Sequence, residues 1–398
     1  MDAHANIKNV GRMLDSTHDE VHRQRFVSVL RKKVLVDFAK DMKTVYEKKV
    51  AGRHKRRTGK APKDAREIRR AMLHEPVFEA WSSLRYNAQY MTWWSVQPAV
   101  ERQLPELIQA AKDAHLANPA GGSLELDNKL HIPGYVSQLD VHQMPGCFQT
   151  EFTKDDVAQG AVYFYGTTVF SGGLAHRRGN KGSVGQTIAQ YLKHKGFKPK
   201  RILDMGCTAG SNTMPYKEIF PQAEVHGIDV GAPCLRFGHA RAEAEGHAIH
   251  FSQQSAEKTN FPDNYFDLIT SSFFFHELSV PATRNVLKEC HRILKPGGLV
   301  LHMELPPSAL TDAYYNFYLD WDAFYNNEPH YEAFRNLDFP KTLVEAGFKK
   351  KDLEMIRIPN YATTKPEEFK AVVEGRGQTA RRDHGGGAVW FTFGGWKR

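Results

Sequence analysis

Ile202-Leu203-Asp204-Met205-Gly206-Cys207-Thr208-Ala209-Gly210 is the stretch on which the reading of this chain turns. A short apolar run ends in an acid, and two glycines then bracket a tight turn into a helical pattern. Glycine lets a backbone adopt positive φ and approach a ligand closely. Working outward, the same alternation repeats. Strands are predicted over 201–204, 224–229, 249–253, 266–271, 299–304, 351–358 and 389–393. Helices are predicted over 183–193, 214–220, 232–245, 282–294 and 338–346, with Pro296-Gly297-Gly298 and Gly347 as stops. Repeated strand–helix units make a parallel sheet covered by helices on both faces. The expected fold is α/β: a doubly wound, mostly parallel sheet of seven strands over 184–398, the last strand antiparallel. Ligands of such sheets bind at the carboxyl ends of the strands.

Upstream the pattern is helical. Val27, Leu30, Val34, Leu35, Phe38, Met42 and Val45 recur at helical spacing within 21–46. Further helices are predicted over 64–73, 77–90 and 98–117, and Asn118 to Ser123 reads as a stop and loop. This gives an N-terminal helical domain over 1–120. Residues 121–183 read as an irregular, aromatic-rich linker or lid, broken by Pro133-Gly134, Pro145-Gly146 and Gly172-Gly173. An aromatic insertion is expected near 308–335, and a loop over 359–387 that includes Arg381-Arg382-Asp383-His384.

The chain has 398 residues and a net charge of +9. No apolar run approaches the roughly 20 residues of a membrane span. Met1 to Asn6 lacks the order of a secretory signal. A cytoplasmic protein is expected. Cys147, Cys207, Cys234 and Cys290 are scattered and form no C-x-x-C pair, so neither a disulfide framework nor a metal site is expected. The basic run from Lys48 to Lys63 is either a phosphate-binding arm or a solvated loop between helices. Few aromatics interleave with its charges, so a nucleic-acid partner has little support.

The glycine turn alone suits dinucleotides as well. Asp229, ending the next strand, can accept both hydroxyls of an adenosine ribose. Two features narrow the choice. The turn lacks G-x-G-x-x-G spacing. It also carries Asp204, which repels a pyrophosphate and attracts an ammonium.

With Gly227-Ile228-Asp229-Val230, Phe266-Asp267-Leu268-Ile269 and Leu294-Lys295-Pro296-Gly297-Gly298 added, the chain resembles the class I methyltransferases. The branch it resembles is the small-molecule, ubiquinone-biosynthesis-like one, over about residues 184 to 358 with a last strand near 390. The resemblance implies S-adenosylmethionine as cofactor. Asp204, Gly206, Cys207, Thr208 and Gly210 would form the loop at its methionine end. Asp229 would take the ribose, with Val230, Ser255 and Ala256 beside the adenine and Ser271 and Ser272 under the methionyl part. Thr208 departs from the pattern, which usually has glycine there.

The fourth strand of this pattern leads into Phe273-Phe274-Phe275-His276-Glu277, where the family places catalytic groups. A histidine has a suitable pKa for taking a proton from an acceptor, and Glu277 can orient it. The alternative for His276 is packing or capping. Phe273, His302, Glu304, Tyr314, Tyr318 and Trp321 are the candidates for substrate contact, the last three on an aromatic helix face. The expected reaction is methyl transfer to an oxygen or carbon of a small, largely apolar metabolite. Two rivals are an RNA methyltransferase using the basic arm and a non-catalytic cofactor-binding partner. A homodimer stays open.

Overall fold

The computed structural model describes residues 14–170, 183–376 and 389–398. The expectations for Met1 to Asn6, Gly172-Gly173 and Arg381 to His384 lie outside the described residues. The sheet has eight strands: β1 (Ser123–Glu125), β2 (Arg201–Met205), β3 (Glu224–Asp229), β4 (Ile249–Gln253), β5 (Phe266–Ser272), β6 (Leu294–Glu304), β7 (Leu353–Pro359) and β8 (Val389–Trp396). Their order is β1-β4-β3-β2-β5-β6-β8-β7. β1 to β6 pair in parallel, and β8 runs antiparallel to both β6 and β7. The count of seven is therefore corrected to eight. The extra strand is three residues beside β4, too short for a periodic signal.

The order reverses between β2 and β5, which opens a crevice beyond the carboxyl ends of β2, β3 and β5. Ile202, Val225, Ile249, Leu268 and Leu301 fill one side of the sheet. Leu203, Ile228, Ile269 and Val300 fill the other. Strands buried on both faces need such continuous apolar runs.

Three stretches differ from expectation. The linker is irregular only in part: it contains a helix, Ala158–Phe170, with most of its residues buried. That helix is apolar all round, so it shows no amphipathic stripe. Its glycines permit close packing, since a Cβ on Gly166 would fall 2.5 Å from the Trp93 ring. The basic run is a loop only beyond Thr58. Residues 18–58 form one helical run, widened at Lys33–Phe38 and Tyr46–Val50, and its last part, Ala51–Thr58, buries nothing. Gly59, at φ +80°, ends it. The expected loop over 359–387 contains a helix, Pro366–Val373, whose Phe369 packs on Tyr361 and His194.

The helix Pro76–Arg102 runs through Pro98, past the expected end near 90, and a separate helix, Leu104–Ala117, covers the rest of the expected 98–117 helix. Its Phe78 and Trp81 meet Phe317, Tyr318, Trp321 and Tyr325 from the helix Ala313–Tyr325. Val34, Met42, Val50, Ile68 and Met72 complete this core. Arg85 clamps Asp322 with Nε–Oδ1 and Nη2–Oδ2 contacts of 2.5 and 3.3 Å. The N-terminal helices and the aromatic insertion thus share one core. Among the described residues, no helix is long and apolar enough to cross a membrane.

Candidate functional site

A cleft lies beyond the ends of β2, β3 and β5. Its first wall follows from backbone pairing. Asp204 is buried at the end of β2, where its Oδ2 accepts the Thr213 hydroxyl at 2.6 Å. Burial pushes its carboxyl up to about 7. The chain then turns: Gly206 and Cys207 donate their N–H groups to the Ile228 carbonyl at 2.9 and 3.0 Å. Gly206 adopts φ +68°, and a Cβ there would fall 2.4 Å from the Phe274 ring. Only glycine fits so close an approach.

Thr208 also lies in the left-handed region, at φ +45°. Its N–H donates to Asp229 Oδ2 at 2.9 Å, while Gly231 N–H donates to Oδ1 at 2.8 Å. Asp229 thus pins the turn and holds Thr208 in this left-handed conformation. Burial raises the Asp229 carboxyl, and these N–H donors oppose the shift. Val230, Ser255, Ala256 and Ser272 complete this wall, and the buried Ser272 hydroxyl has no hydrogen-bond partner. Two expected contacts lie off the cleft. Gly210 supports the turn, with Phe251 and Met214 beside it. Ser271 is buried, its hydroxyl 2.9 Å from His302 Nδ1.

The second wall comes from distant parts of the chain: Tyr135, His142, Phe148, Tyr163, Phe273 and Glu277. Phe273 is 37% exposed, at φ +54°. His142 sits at φ +56°. Strained non-glycine backbone of this kind costs on the order of 1–3 kcal/mol and gathers at functional sites. His142 Nε2 lies 2.9 Å from Glu277 Oε1, and its Nδ1 lies 2.9 Å from Glu328 Oε1. Burial would lower this imidazole, but the two carboxylates outweigh it and hold it up to about 9. Burial would likewise raise Glu277, yet the His142 and His276 charges hold it well below the usual carboxylate range.

His276 does not line the cleft. It is buried behind Glu277, with Nε2 3.3 Å from Glu277 Oε1 and Nδ1 2.6 Å from Glu304 Oε2. Despite burial, these carboxylates hold it well above its ordinary value, so it stands as a charged partner rather than a free base. Glu304 is buried too, and its Oε1 accepts the Phe275 N–H at 2.7 Å. It positions His276 instead of facing a substrate.

His302 is a core residue between Ser271 and Cys290, lowered to about 3 by burial. Tyr314, Tyr318 and Trp321 face the N-terminal helices: Tyr314 packs on Tyr46, Tyr318 on Trp81, and the Arg69 guanidinium lies 3.8 Å from the Trp321 ring. The aromatic face found an apolar partner in those helices, so it does not reach the cleft. His142 was missed because nothing periodic marks it. Tyr135, Phe148 and Tyr163 stood out only as aromatics.

The cleft fits a ligand that carries an ammonium and a ribose. Two buried carboxylates face it, and no Lys or Arg lines it among the described residues. A pyrophosphate would find no counter-charge on this wall.

Residues 202–298 match a family model described as a methyltransferase domain. Among curated relatives, a demethylmenaquinone methyltransferase of Thermus thermophilus is 38% identical over 27% of this chain and 49% of its own length. That of Geobacillus stearothermophilus is 35% identical over 27% of this chain and 46% of its own. The chain spans about half the length of the curated relatives it matches. Among solved structures, Haemonchus contortus phosphoethanolamine N-methyltransferase 2 with S-adenosyl-L-methionine aligns at a TM-score of 0.37 and 19% identity, covering 55% of this chain and 53% of that one. A SAM-dependent methyltransferase from Aquifex aeolicus aligns at 0.33 and 19%, covering 52% and 88%. With the match lying across β2 to β6 and the cleft at their carboxyl ends, residues 202–298 are a methyltransferase domain of the class I, S-adenosylmethionine-dependent family.

Proposed function

We propose that the chain transfers a methyl group from S-adenosylmethionine to an oxygen or carbon of a small, largely apolar metabolite. The observation that carries this reading is the opposition of the two walls. Asp204 and Asp229 line one side of the cleft, and Glu277 stands among aromatic rings on the other. When bound, the cofactor supplies an electrophilic methyl group on a sulfonium.

In this reading Asp204 faces the ammonium and Asp229 the ribose hydroxyls. The leaving group is already good, so catalysis rests on alignment and exclusion of water. Tyr135, Phe148, Tyr163 and Phe273 provide an apolar surface for the acceptor. Glu277 is the carboxylate on the acceptor side of the cleft: its Oε1 lies against the two imidazoles, and its Oε2 has no hydrogen-bond partner. His142 and His276 position it. The N-terminal helices and the 308–335 insertion act as a buttress behind this wall.

The test is incubation of the protein with methyl-labelled S-adenosylmethionine and a cell extract, with products identified by mass. Label in a small apolar product supports the reading. Label confined to RNA, or no label at all, overturns it.

A further inference from the structure

We propose that His142, His276 and Glu328 form a binding site for one divalent transition-metal ion of the zinc or cobalt kind, beside the second wall. One ligand atom from each lies within 4.8 Å of the others. Metal–nitrogen and metal–oxygen bonds near 2.1 Å place tetrahedral ligands about 3.4 Å apart, which modest side-chain rotation reaches. The three groups come from separate parts of the chain: His142 from a strained turn, His276 from the short helix after β5, and Glu328 from just beyond the aromatic helix.

Three features point to an ion. The outer shell is built: Glu304 Oε2 lies 2.6 Å from His276 Nδ1, which leaves Nε2 for a metal. A carboxylate behind a histidine is the usual support of a ligating imidazole. Polar atoms are left over around the centre. Glu277 Oε1 lies 2.9 and 3.3 Å from His142 Nε2 and His276 Nε2, while its buried Oε2 has no hydrogen-bond partner. Asn326, 7% exposed and 2.9 Å from His142 Nδ1 through its Nδ2, has an orphan Oδ1 as well. Finally, three carboxylates, Glu277, Glu304 and Glu328, converge on the two imidazoles, and a divalent ion among them would be held by opposite charge. With nitrogen and oxygen donors and no thiolate, the set suits zinc, cobalt or manganese rather than a soft ion.

The scattered cysteines had excluded a zinc–thiolate site, and this histidine set forms only on folding. Because it adjoins Glu277, an acceptor oxygen can occupy an open coordination position. That role rests on the methyl-transfer reading, whereas metal binding does not.

The test uses the full chain, stripped with chelator and free of S-adenosylmethionine, titrated with Co²⁺ and followed by visible absorption. We expect one equivalent bound at micromolar or tighter affinity, with bands displaced by Zn²⁺. His142→Gln and Glu328→Gln each weaken binding by at least ~10-fold. His18 and His22, with ring centroids 4.2 Å apart on an exposed helix, are the competing surface site. His22→Ala leaves the bands intact. Absence of bands at millimolar Co²⁺, their loss in His22→Ala, or their persistence in a folded His142→Gln overturns the proposal. Should His142→Gln fail to fold, the wild-type and His22→Ala titrations decide. Cofactor binding in the same preparation tests the other reading separately.

Discussion

The two walls of the cleft are built in different ways. The wall proposed for the cofactor is made at the ends of adjacent parallel strands, where Asp204 sits across from Gly227 and Asp229 from Gln253 in the β2–β3 and β3–β4 registers. Its geometry is held by backbone hydrogen bonds, including those that Asp229 accepts from Thr208 and Gly231. The wall proposed for the acceptor is made of side chains that meet only after the linker, the β5 exit and the aromatic insertion have packed together. The first wall is a property of the sheet. The second is carried by the connecting segments laid over it, which is where binding specificity usually resides.

If that division holds, substitutions on the two walls separate binding from turnover. The largest effect is expected for Glu277→Gln, which removes the charge and keeps the shape. Its turnover should fall about 10²-fold, the scale of a lost general base, with S-adenosylmethionine affinity changed less than twofold. Single-turnover kinetics beside calorimetry check this. A variant with near-normal turnover would move the proton acceptor elsewhere.

Next comes Asp229→Ala, expected to weaken cofactor binding at least ~10-fold, or about 1.4 kcal/mol. Asp229→Asn separates ribose contact from turn support, since the amide still accepts one N–H. Asp204 gives a smaller, pH-dependent effect. Burial holds its carboxyl up to about 7, and an ammonium requires the ionised form. Affinity should therefore rise between about pH 6 and pH 8, with a proton released on binding. Titration in buffers of different ionisation heat reads that proton, and a flat profile would remove Asp204 from the ammonium site. The sign for stability is opposite in the free protein. Folded Asp204 holds its proton more tightly than the unfolded chain does, so its contribution is present below the ordinary carboxyl value of 3.8 and is lost as pH rises through about 7. The smallest effect is expected on the exposed basic helix. Lys55→Ser, Arg56→Ser and Arg57→Ser together should leave small-molecule turnover unchanged, because Ala51–Thr58 buries no residue. Loss of turnover in this folded variant would revive the reading with a nucleic-acid partner.

The same division explains what could be read in advance. β3, β4 and the helix Ala232–Glu245 fall on their predicted bounds, because each is marked by apolar runs and by glycine or acid at its end. The places of Asp204, Gly206 and Asp229 at the cleft were legible for the same reason. The helix Ala158–Phe170 was not, since burial on every side leaves no polar stripe. Tyr314, Tyr318 and Trp321 looked like a lid because their spacing specifies a face but not what covers it; Trp81 and Tyr46 cover it. His276 was singled out by its place after β5, but its depth behind Glu277 depends on Glu304 at the end of β6. His142 meets Glu277 only through long-range packing, which local pattern does not encode.

The central claim is that one wall binds the cofactor and the other acts on the acceptor. Calorimetric titration of the wild-type chain, Asp229→Ala and Glu277→Gln with S-adenosylmethionine tests it most directly. One site per chain is expected in the wild type, with affinity lowered at least ~10-fold in Asp229→Ala and kept within about twofold in Glu277→Gln. Equal loss in both variants, or no binding to the wild-type chain, would contradict it.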